Sequence, residues 1–194
     1  MRSQVHARRA MKRMMDVVLA LLGLALLLPI LLGAALAVFF DSGLPIFFRQ
    51  TRVGEGGRLF GMYKFRSMRL DAEATGPYFT QANDQRITRV GSFIRRTSID
   101  ELPQLLNVLV GDMSLVGPRP DVPAQQALYS AADWQRRCSV RPGITGLAQA
   151  LIRSESTHQD RLALDLRYTR EQSAWLDLKI IWLTLGRLTG KGGN

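Results

Sequence analysis

The sequence predicts an α+β protein that is predominantly helical, and three features of its 194 residues support this class. The run from Val17 to Phe40 carries no charged residue and is long enough to form a helix that spans a bilayer. Two segments of strand-like composition, 46–52 and 58–68, flank the turn Gly54-Glu55-Gly56-Gly57 and predict a small β-hairpin. Helical patterns return from about Ser98 and continue towards the C-terminus.

The chain begins with a basic flank, residues 1–16, followed by a predicted membrane-embedded segment, 17–40. Pro29 lies in the middle of that segment, where it removes a backbone donor and favours a kink or a break. Basic residues lie on both sides, and positive charge marks the cytoplasmic side of a membrane. The sequence therefore predicts a re-entrant helix-break-helix hairpin with its break at Leu28-Pro29, and a kinked spanning helix is the alternative. A cleaved signal peptide is disfavoured, because the apolar run is longer than a usual h-region.

Residues 41–194 are predicted to form one domain on the cytoplasmic side, because they contain no linker long enough to divide them. The expected order beyond the hairpin is a polar irregular stretch at 69–92, a helix from about Ser98 to Val110, loops rich in proline and glycine at 111–121 and 141–146, and helices across 123–137 and 156–172.

The last segment has the pattern of an amphipathic helix. Apolar residues recur every three or four positions at Trp175, Leu178, Ile181/Trp182, Leu185 and Leu188, opposite Asp177, Thr184, Arg187 and Lys191. Such a helix either closes the core of the domain or lies at the membrane interface, where tryptophan is favoured.

The composition excludes several function classes. Lys and Arg number 26 against 16 Asp and Glu, giving a net charge of +10, and 22 of the cations are arginine, whose planar guanidinium suits phosphate groups. Cys138 is the only cysteine, which excludes an internal disulfide and fits a reducing compartment. The sequence lacks a Walker A loop, a dinucleotide-binding glycine pattern and a metal-spaced histidine set. These absences argue against kinase-type ATP use, hydride transfer and zinc-dependent hydrolysis.

Two adjacent carboxylates, Asp100 and Glu101, stand at the start of the helix expected from about Ser98. One interpretation is a capping box, in which Ser98 and Glu101 satisfy backbone groups. Pro103, however, suits the first helical turn, so a helix that starts near Leu102 is the alternative. In either case the helix dipole keeps Asp100 ionised, as a nucleophile or a Mg²⁺ ligand must be.

Cations in restricted backbone accompany these acids. Arg119 lies between two prolines, and Arg141 precedes another proline, which orients each guanidinium at low entropic cost. Lys64 and Arg66 alternate on one strand, where a solvated strand edge is the alternative interpretation. Carboxylates, constrained arginines and a membrane-embedded segment together indicate phosphate chemistry at a bilayer surface.

Several blocks along the chain, in this order, resemble the small monotopic phosphoglycosyl transferases of the bacterial sugar transferase family. They are Lys12-Arg13-Met14-Met15-Asp16, Tyr63-Lys64-Phe65-Arg66-Ser67-Met68, Ser98-Ile99-Asp100-Glu101-Leu102-Pro103-Gln104-Leu105, Asn107-Val108-Leu109, Gly111-Asp112-Met113-Ser114, Val116-Gly117-Pro118-Arg119-Pro120, Val140-Arg141-Pro142-Gly143-Ile144-Thr145-Gly146, Leu164-Asp165 and Trp175-Leu176-Asp177-Leu178-Lys179. The resemblance extends from Lys12 to Leu188. Leu28, Leu147 and Leu151-Ile152 depart from residues that are frequent in the family.

The resemblance implies transfer of a phosphosugar from a UDP-sugar to membrane polyprenol phosphate, with Mg²⁺, as the first membrane step of glycoconjugate assembly such as exopolysaccharide synthesis. It implies a location at the bacterial inner membrane, with the catalytic domain on the cytoplasmic face. By motif, Asp100 is the nucleophile that forms an aspartyl phosphosugar, and Glu101 is its partner; both are candidate metal ligands. Residues expected to bind substrate are Lys64, Arg66, Arg119, Arg141, Arg153 and Asp165.

Two other classes remain open from the sequence. A membrane-tethered basic module that binds nucleic acid or anionic lipid would explain the net charge, but not the acidic pair among arginines. We therefore expect no nucleic-acid partner. A lipid-linked phosphohydrolase would use similar groups, and dependence on polyprenol phosphate would separate the two. The sugar and the oligomeric state, including a homo-oligomer, are left open.

Overall fold

The computed structural model describes residues 2–72, 75–76, 80–81, 84–152 and 157–189. Its helices are α1 (Arg2–Ser42), α2 (Arg89–Arg96), α3 (Gln104–Val110), α4 (Ala131–Arg137), α5 (Leu147–Leu151), α6 (His158–Glu171) and α7 (Ala174–Thr189). Its strands are β1 (Phe47–Val53), β2 (Leu59–Phe65), β3 (Ser114–Val116) and β4 (Gly143–Thr145). The predicted class, predominantly helical with a small sheet, is confirmed.

Helix α1 is continuous through Pro29, so the predicted break at Leu28-Pro29 is not confirmed. It is the one described helix that is long and apolar enough to cross a membrane, judged by length and composition alone. Its large side chains are mostly exposed, among them Leu21, Leu22, Leu26, Leu28, Ile30, Leu32, Leu36, Phe39 and Phe40. An exposed apolar surface of this extent marks a region that contacts lipid or another apolar partner.

The remaining face of α1 packs against the domain along both halves of the helix. In the first half, Ala20 belongs to a core cluster with Leu105 and Val108 of α3. In the second half, Ala34 and Val38 belong to a cluster with Phe65 and Ile94. The two ends of the apolar segment are therefore held by the same body of protein.

The predicted β-hairpin is confirmed. Strands β1 and β2 pair antiparallel, with Phe47 opposite Phe65 and Val53 opposite Leu59. Strand β2 ends three residues earlier than the predicted segment, and Met68 forms only an isolated bridge to Ile87.

Helix α2 lies partly inside the stretch 69–92, which the sequence predicted to be irregular. Thr88 begins it by accepting a hydrogen bond from the backbone N–H of Gly91 at 2.9 Å. The helix is short and rich in arginine, so its hydrophobic pattern is too brief to stand out from a polar loop.

The capping-box interpretation of Ser98 and Glu101 is wrong. Ser98 adopts a left-handed backbone, with φ 57°, and its side chain makes no capping hydrogen bond. A single 3₁₀ turn, Ile99–Glu101, follows it, and α3 begins only at Gln104. The predicted start of the helix near Ser98 was therefore too early, because this turn presents its carboxylates to other elements instead of capping its own helix.

The two loops rich in proline and glycine contain the short parallel strands β3 and β4, which the sequence did not predict. Ser114 pairs with Gly143, and Val116 pairs with Thr145. A Cβ atom on Gly143 would lie 2.1 Å from the backbone nitrogen of Gly117, so only glycine allows this approach. Strands of three residues carry too little periodicity to be recognised in sequence.

The helical stretch predicted across 123–137 is divided. A 3₁₀ helix covers Pro123–Leu128, and α4 begins after Ser130, whose hydroxyl accepts from the N–H of Asp133 at 3.1 Å. The helix predicted across 156–172 is present as α6, and the short α5 was not predicted.

Helix α7 both closes the core and leaves an apolar stripe exposed. Ile180 and Asp177 are buried against the domain, so the side that looked polar in the sequence faces inward. The exposed residues of the stripe are Trp175, Leu178, Trp182 and Leu185. We refer to these four residues as the tryptophan stripe.

Candidate active site

A cavity of about 800 Å³ lies between the β-hairpin, the 3₁₀ turn Ile99–Glu101 and the loop that contains Arg119. Its volume is within the range of small-molecule sites. The charged side chains that line it are Arg52, Lys64, Arg66, Arg69, Arg86, Arg95, Asp100, Glu101 and Arg119. Cations therefore outnumber carboxylates in the described lining, which suits a ligand with several negative charges.

The two adjacent carboxylates have different partners. Glu101 accepts hydrogen bonds from both Nη atoms of Arg119, and its Oε1 lies 3.0 Å from Nζ of Lys64. The Asp100 carboxylate is buried but accepts no hydrogen bond and forms no ion pair in the described part of the chain. Arg119 and Lys64 therefore bind Glu101, and the neighbouring Asp100 carboxylate keeps both of its oxygens unbound within the described chain.

The electrostatic environment separates the two acids further. Burial raises the pKa of Asp100, although Lys64 partly opposes that shift. Burial would also raise the pKa of Glu101, but Arg119 and Lys64 together outweigh it and hold that pKa well below its usual range. Burial lowers the pKa of Lys64, with Glu101 acting in the opposite direction. Burial and the neighbouring Arg119 lower the pKa of Arg52 to about 10, so Arg52 is still a cation at neutral pH.

Asn107 fixes the strand that carries Lys64 to the helix that follows Asp100. Its Oδ1 accepts from the backbone N–H of Tyr63 at 2.9 Å, and its Nδ2 donates to the carbonyl of Gly61 at 2.8 Å. Asn107 is fully buried on α3. Because this buried amide both accepts from and donates to the backbone of β2, it sets the position of Lys64 relative to the carboxylates.

The loop 117–121, which carries Arg119, is fixed by hydrogen bonds that its backbone carbonyl groups accept. Two of its residues are prolines without N–H groups, yet four consecutive carbonyls, from Pro118 to Asp121, each accept a hydrogen bond from a different part of the chain. The donors are the backbone of Gly143, the side chain of Arg137, the side chain of Arg52 and the backbone of Val53, in that order. The predicted restriction of Arg119 by prolines is thus reinforced from four directions.

Arg137 was missed by sequence reasoning and is the centre of a buried ionic cluster behind this loop. It donates to the carbonyl of Arg119, pairs with Asp121, and its Nε lies 2.9 Å from Oδ2 of Asp165. Tyr129 completes the cluster with a hydrogen bond of 2.8 Å to Asp121. No local motif marks Arg137, because its partners lie elsewhere in the chain.

A second polar network joins α1 and α7 to the same loop. Nζ of Lys12 lies 2.7 Å from Oδ2 of Asp177 and donates to the carbonyl of Val116 at 3.2 Å. The hydroxyl oxygen of Tyr168 lies 2.9 Å from the same carbonyl and 2.7 Å from Oδ1 of Asp177, so its single proton is shared between these two acceptors. Asp16, one turn beyond Lys12, accepts from the hydroxyl of Ser114 at 3.0 Å. The basic motif before the apolar segment therefore binds the strand that leads to Arg119.

The other residues predicted to bind substrate have different locations. Arg66 lines the cavity but is almost fully buried, and it donates to the carbonyls of Ser42 and Gly43 at the end of α1. Asp165 and Arg141 lie outside the cavity lining, paired with Arg137 and Glu55 respectively.

Arg153 lies outside the described residues.

The residues present fit Mg²⁺ with one protein carboxylate. The described chain has no group of three or more His, Cys, Asp or Glu side chains that could hold a metal. Mg²⁺ is commonly bound through one or two carboxylates together with substrate phosphates and water. Of the two carboxylates in the described lining, Asp100 has no ion-pair partner, whereas Glu101 is already engaged by Arg119 and Lys64.

Comparison with known proteins gives a consistent picture. The model of the bacterial sugar transferase family matches residues 7–191. A UDP-glucose:undecaprenyl-phosphate glucose-1-phosphate transferase of Xanthomonas campestris is 46% identical over 188 residues, which is 93% of this chain and 39% of that protein. One of the same name from Caulobacter vibrioides is 47% identical over 184 residues, or 91% of this chain and 69% of that protein.

A third relative, from Aeromonas hydrophila, is named UDP-N-acetylgalactosamine-undecaprenyl-phosphate N-acetylgalactosaminephosphotransferase. It is 41% identical over 192 residues, which is 94% of this chain and 45% of that protein. The chain thus spans less than half the length of the Xanthomonas and Aeromonas relatives. All three names contain undecaprenyl phosphate; two name glucose as the sugar and the third names N-acetylgalactosamine.

Proposed function

Because this chain belongs to the bacterial sugar transferase family, we propose that it transfers a phosphosugar from a UDP-sugar to a polyprenol phosphate and releases UMP. The relatives' names support both substrate classes. The alternative of a basic module that only binds nucleic acid or lipid is not favoured, since it gives no role to the paired acids in a cationic cavity.

The unequal partners of Asp100 and Glu101 carry this proposal. A nucleophile needs a free oxygen, and Asp100 has one, whereas both oxygens of Glu101 are hydrogen-bonded to Arg119. Glu101 in turn orients Arg119 and Lys64, two cations that suit a diphosphate. The adjacent acids therefore divide the work: Asp100 reacts, and Glu101 positions the cations.

The reaction proceeds in two displacements. A carboxylate oxygen of Asp100 attacks the sugar-bearing phosphorus of the UDP-sugar, the bond from that phosphorus to the bridging oxygen breaks, and UMP leaves with the electron pair. A phosphate oxygen of the polyprenol phosphate then attacks the same phosphorus, and the Asp100 carboxylate leaves. The product is a polyprenyl diphosphate sugar, and neither step requires both substrates to be bound at once.

Cations of the cavity offset the negative charge of the diphosphate during both displacements. Arg119, Lys64 and Arg52 are held by partners within the fold, so they need little rearrangement as charge develops. Mg²⁺ held by Asp100 and substrate phosphates would add Lewis-acid stabilisation of the phosphoryl oxygens.

The packing of α1 supports attachment to one side of a membrane. Lys12 binds Val116 and Asp177, and Arg66 binds the other end of the apolar segment at Ser42 and Gly43. A single straight crossing would place these two ends on opposite faces of the bilayer. We therefore propose a monotopic arrangement at the bacterial inner membrane, in which both ends of α1 stay with the domain on the cytoplasmic face and the tryptophan stripe lies at the interface.

Trapping the covalent species tests the mechanism. Purified protein in detergent is mixed with a panel of UDP-sugars and Mg²⁺ without lipid, and UMP release and added mass are measured. We expect stoichiometric UMP release with one sugar and a phosphosugar adduct on Asp100. The Asp100→Asn variant should lose both signals, with Asp133→Asn, outside the cavity lining and hydrogen-bonded to Ser130, as the matched control. Robust UMP release and product formation by Asp100→Asn would refute the nucleophile assignment.

A further inference from the structure

A second cavity of about 460 Å³ lies between the second half of α1 and helix α2. Its described walls are apolar except for Arg89: Ile30, Gly33, Ala34 and Ala37 come from α1, and Arg89, Val90, Phe93 and Ile94 come from α2. We call it the α1–α2 groove. Resting on the proposed function, we propose that this groove binds the isoprenoid chain of the polyprenol phosphate.

The groove and the candidate active site share one wall. Ile99 lines the groove, whereas its neighbours Ser98 and Asp100 line the cationic cavity. Helix α2 divides in the same way, since Phe93 faces the groove and Arg95 lines the cavity. One short segment of chain therefore separates an apolar compartment from a phosphate-binding compartment.

This juxtaposition selects the occupant. A ligand that fills both compartments needs an anionic head and an apolar chain, which is the chemistry of a lipid phosphate. A nucleotide sugar is polar along its whole length and gains nothing from the groove. The α1 wall also belongs to the apolar segment whose leucines are exposed, which is the part of the protein that lipid would surround.

Gly33 gives a direct way to fill the groove. A Cβ atom added at Gly33 meets no atom within 4 Å, so a larger side chain can enter the open space without displacing the fold. The glycine has a helical backbone, and its replacement should not weaken α1. The series Gly33→Ala, Gly33→Leu and Gly33→Phe therefore closes the groove by steps.

The test compares a long-chain polyprenol phosphate with a short, water-soluble isoprenyl phosphate as acceptors. We expect kcat/KM for the long chain to fall along the series, by at least about tenfold for Gly33→Phe, the loss that roughly two displaced methylene groups would cause. Turnover of the short acceptor and UMP release without any acceptor should stay close to wild type. Leu32→Phe, at an exposed neighbouring position outside the groove, is the matched control.

The outcomes separate this inference from the proposed function. Failure of wild-type protein to release UMP from any UDP-sugar would contradict the proposed function. Wild-type activity with equal losses for both acceptors in the Gly33 series, or with no loss for the long chain, would overturn the groove assignment alone. As a test that needs no variant, a photoreactive isoprenyl phosphate should label wild-type protein within 30–37 or 89–94. Labelling confined to the tryptophan stripe would also overturn it.

Discussion

Arg137 donates a hydrogen bond to the backbone carbonyl of Arg119, so a buried cation fixes the main chain of an exposed one. Arg137 makes this bond while paired with Asp121 and Asp165. The planar guanidinium of Arg137 presents several N–H donors and so binds all three partners at once, which a compact ammonium group is less suited to do. The Arg119 side chain therefore extends into the cavity from a loop whose position depends on residues outside the cavity.

Arg119→Lys should reduce turnover roughly a hundredfold with little loss of folding stability. Lysine keeps the charge but cannot donate to both oxygens of Glu101 or offer a fork to phosphate, and removal of one such donor commonly costs about that much. Steady-state kinetics and thermal unfolding measure the two effects. A wild-type rate would reduce Arg119 to a structural role in its loop.

Arg137→Lys should lower kcat roughly tenfold or more because the loop that carries Arg119 loses its fixed position, and small displacements of a reacting group are costly. If Arg137 acts only through Arg119, its replacement should not lower kcat further once Arg119→Lys is present. We therefore expect the double variant to be about as slow as Arg119→Lys alone. Multiplied losses in the double variant would show that Arg137 acts independently of Arg119.

Asp100→Asn and Glu101→Gln should change stability in opposite directions. Burial raises the pKa of folded Asp100, so the ionised carboxylate opposes folding, and stability is lost as pH rises through that raised pKa. For Glu101, the two cations outweigh burial and lower the pKa of the folded state. The ionised Glu101 therefore stabilises the fold above its unfolded-state pKa, and this stabilisation is lost as pH falls through the pKa of the folded state.

At neutral pH without divalent metal, Asp100→Asn should therefore unfold at the same temperature as wild type or higher, and Glu101→Gln at a lower temperature. Thermal melts at neutral pH compare both variants with wild type, and wild-type melts from about pH 2 to pH 8 follow the two pH-dependent losses of stability. A lower melting temperature for Asp100→Asn than for Glu101→Gln would contradict the assigned environments of the two acids.

Both ends of the apolar segment should be accessible from the same side of the membrane. Single cysteines are placed before Lys12 and after Asp41 in a background in which Cys138, the only native cysteine, is replaced by serine. An impermeant maleimide applied to sealed vesicles should label both positions or neither. Labelling of one position alone would establish a crossing helix and contradict the one-sided attachment.

The tryptophan stripe should insert at the membrane interface. A variant that retains only Trp182, which is 76% exposed, should be quenched by brominated lipids in vesicles. The matched control retains only Trp134, which packs against Tyr129 with ring centroids 5.3 Å apart, and should be quenched far less. Equal quenching of the two variants would contradict the proposal that the tryptophan stripe lies at the membrane interface.

The sequence by itself determined the features that are local in the chain. The apolar run, the β-hairpin, α6 and α7 follow from periodicity, turn residues and charge over short stretches, and these predictions were confirmed as elements. Asp100, Glu101, Lys64 and Arg119 could also be named, from the adjacent acids, the prolines around Arg119, the alternating cations on one strand and the family resemblance. The structure places these four residues at one cavity, and the phosphate site itself stays a prediction.

Only the tertiary structure decided which partners these residues have. Asp100 and Glu101 are neighbours in sequence, and their environments differ because Arg119 and Lys64 reach Glu101 across 18 and 37 positions. The role of Asp165, paired with Arg137, and the inward face of Asp177, paired with Lys12, have the same origin. Hydrogen bonds and ion pairs depend on separations of a few ångströms in space, and no local pattern in a chain records which distant residues folding brings that close.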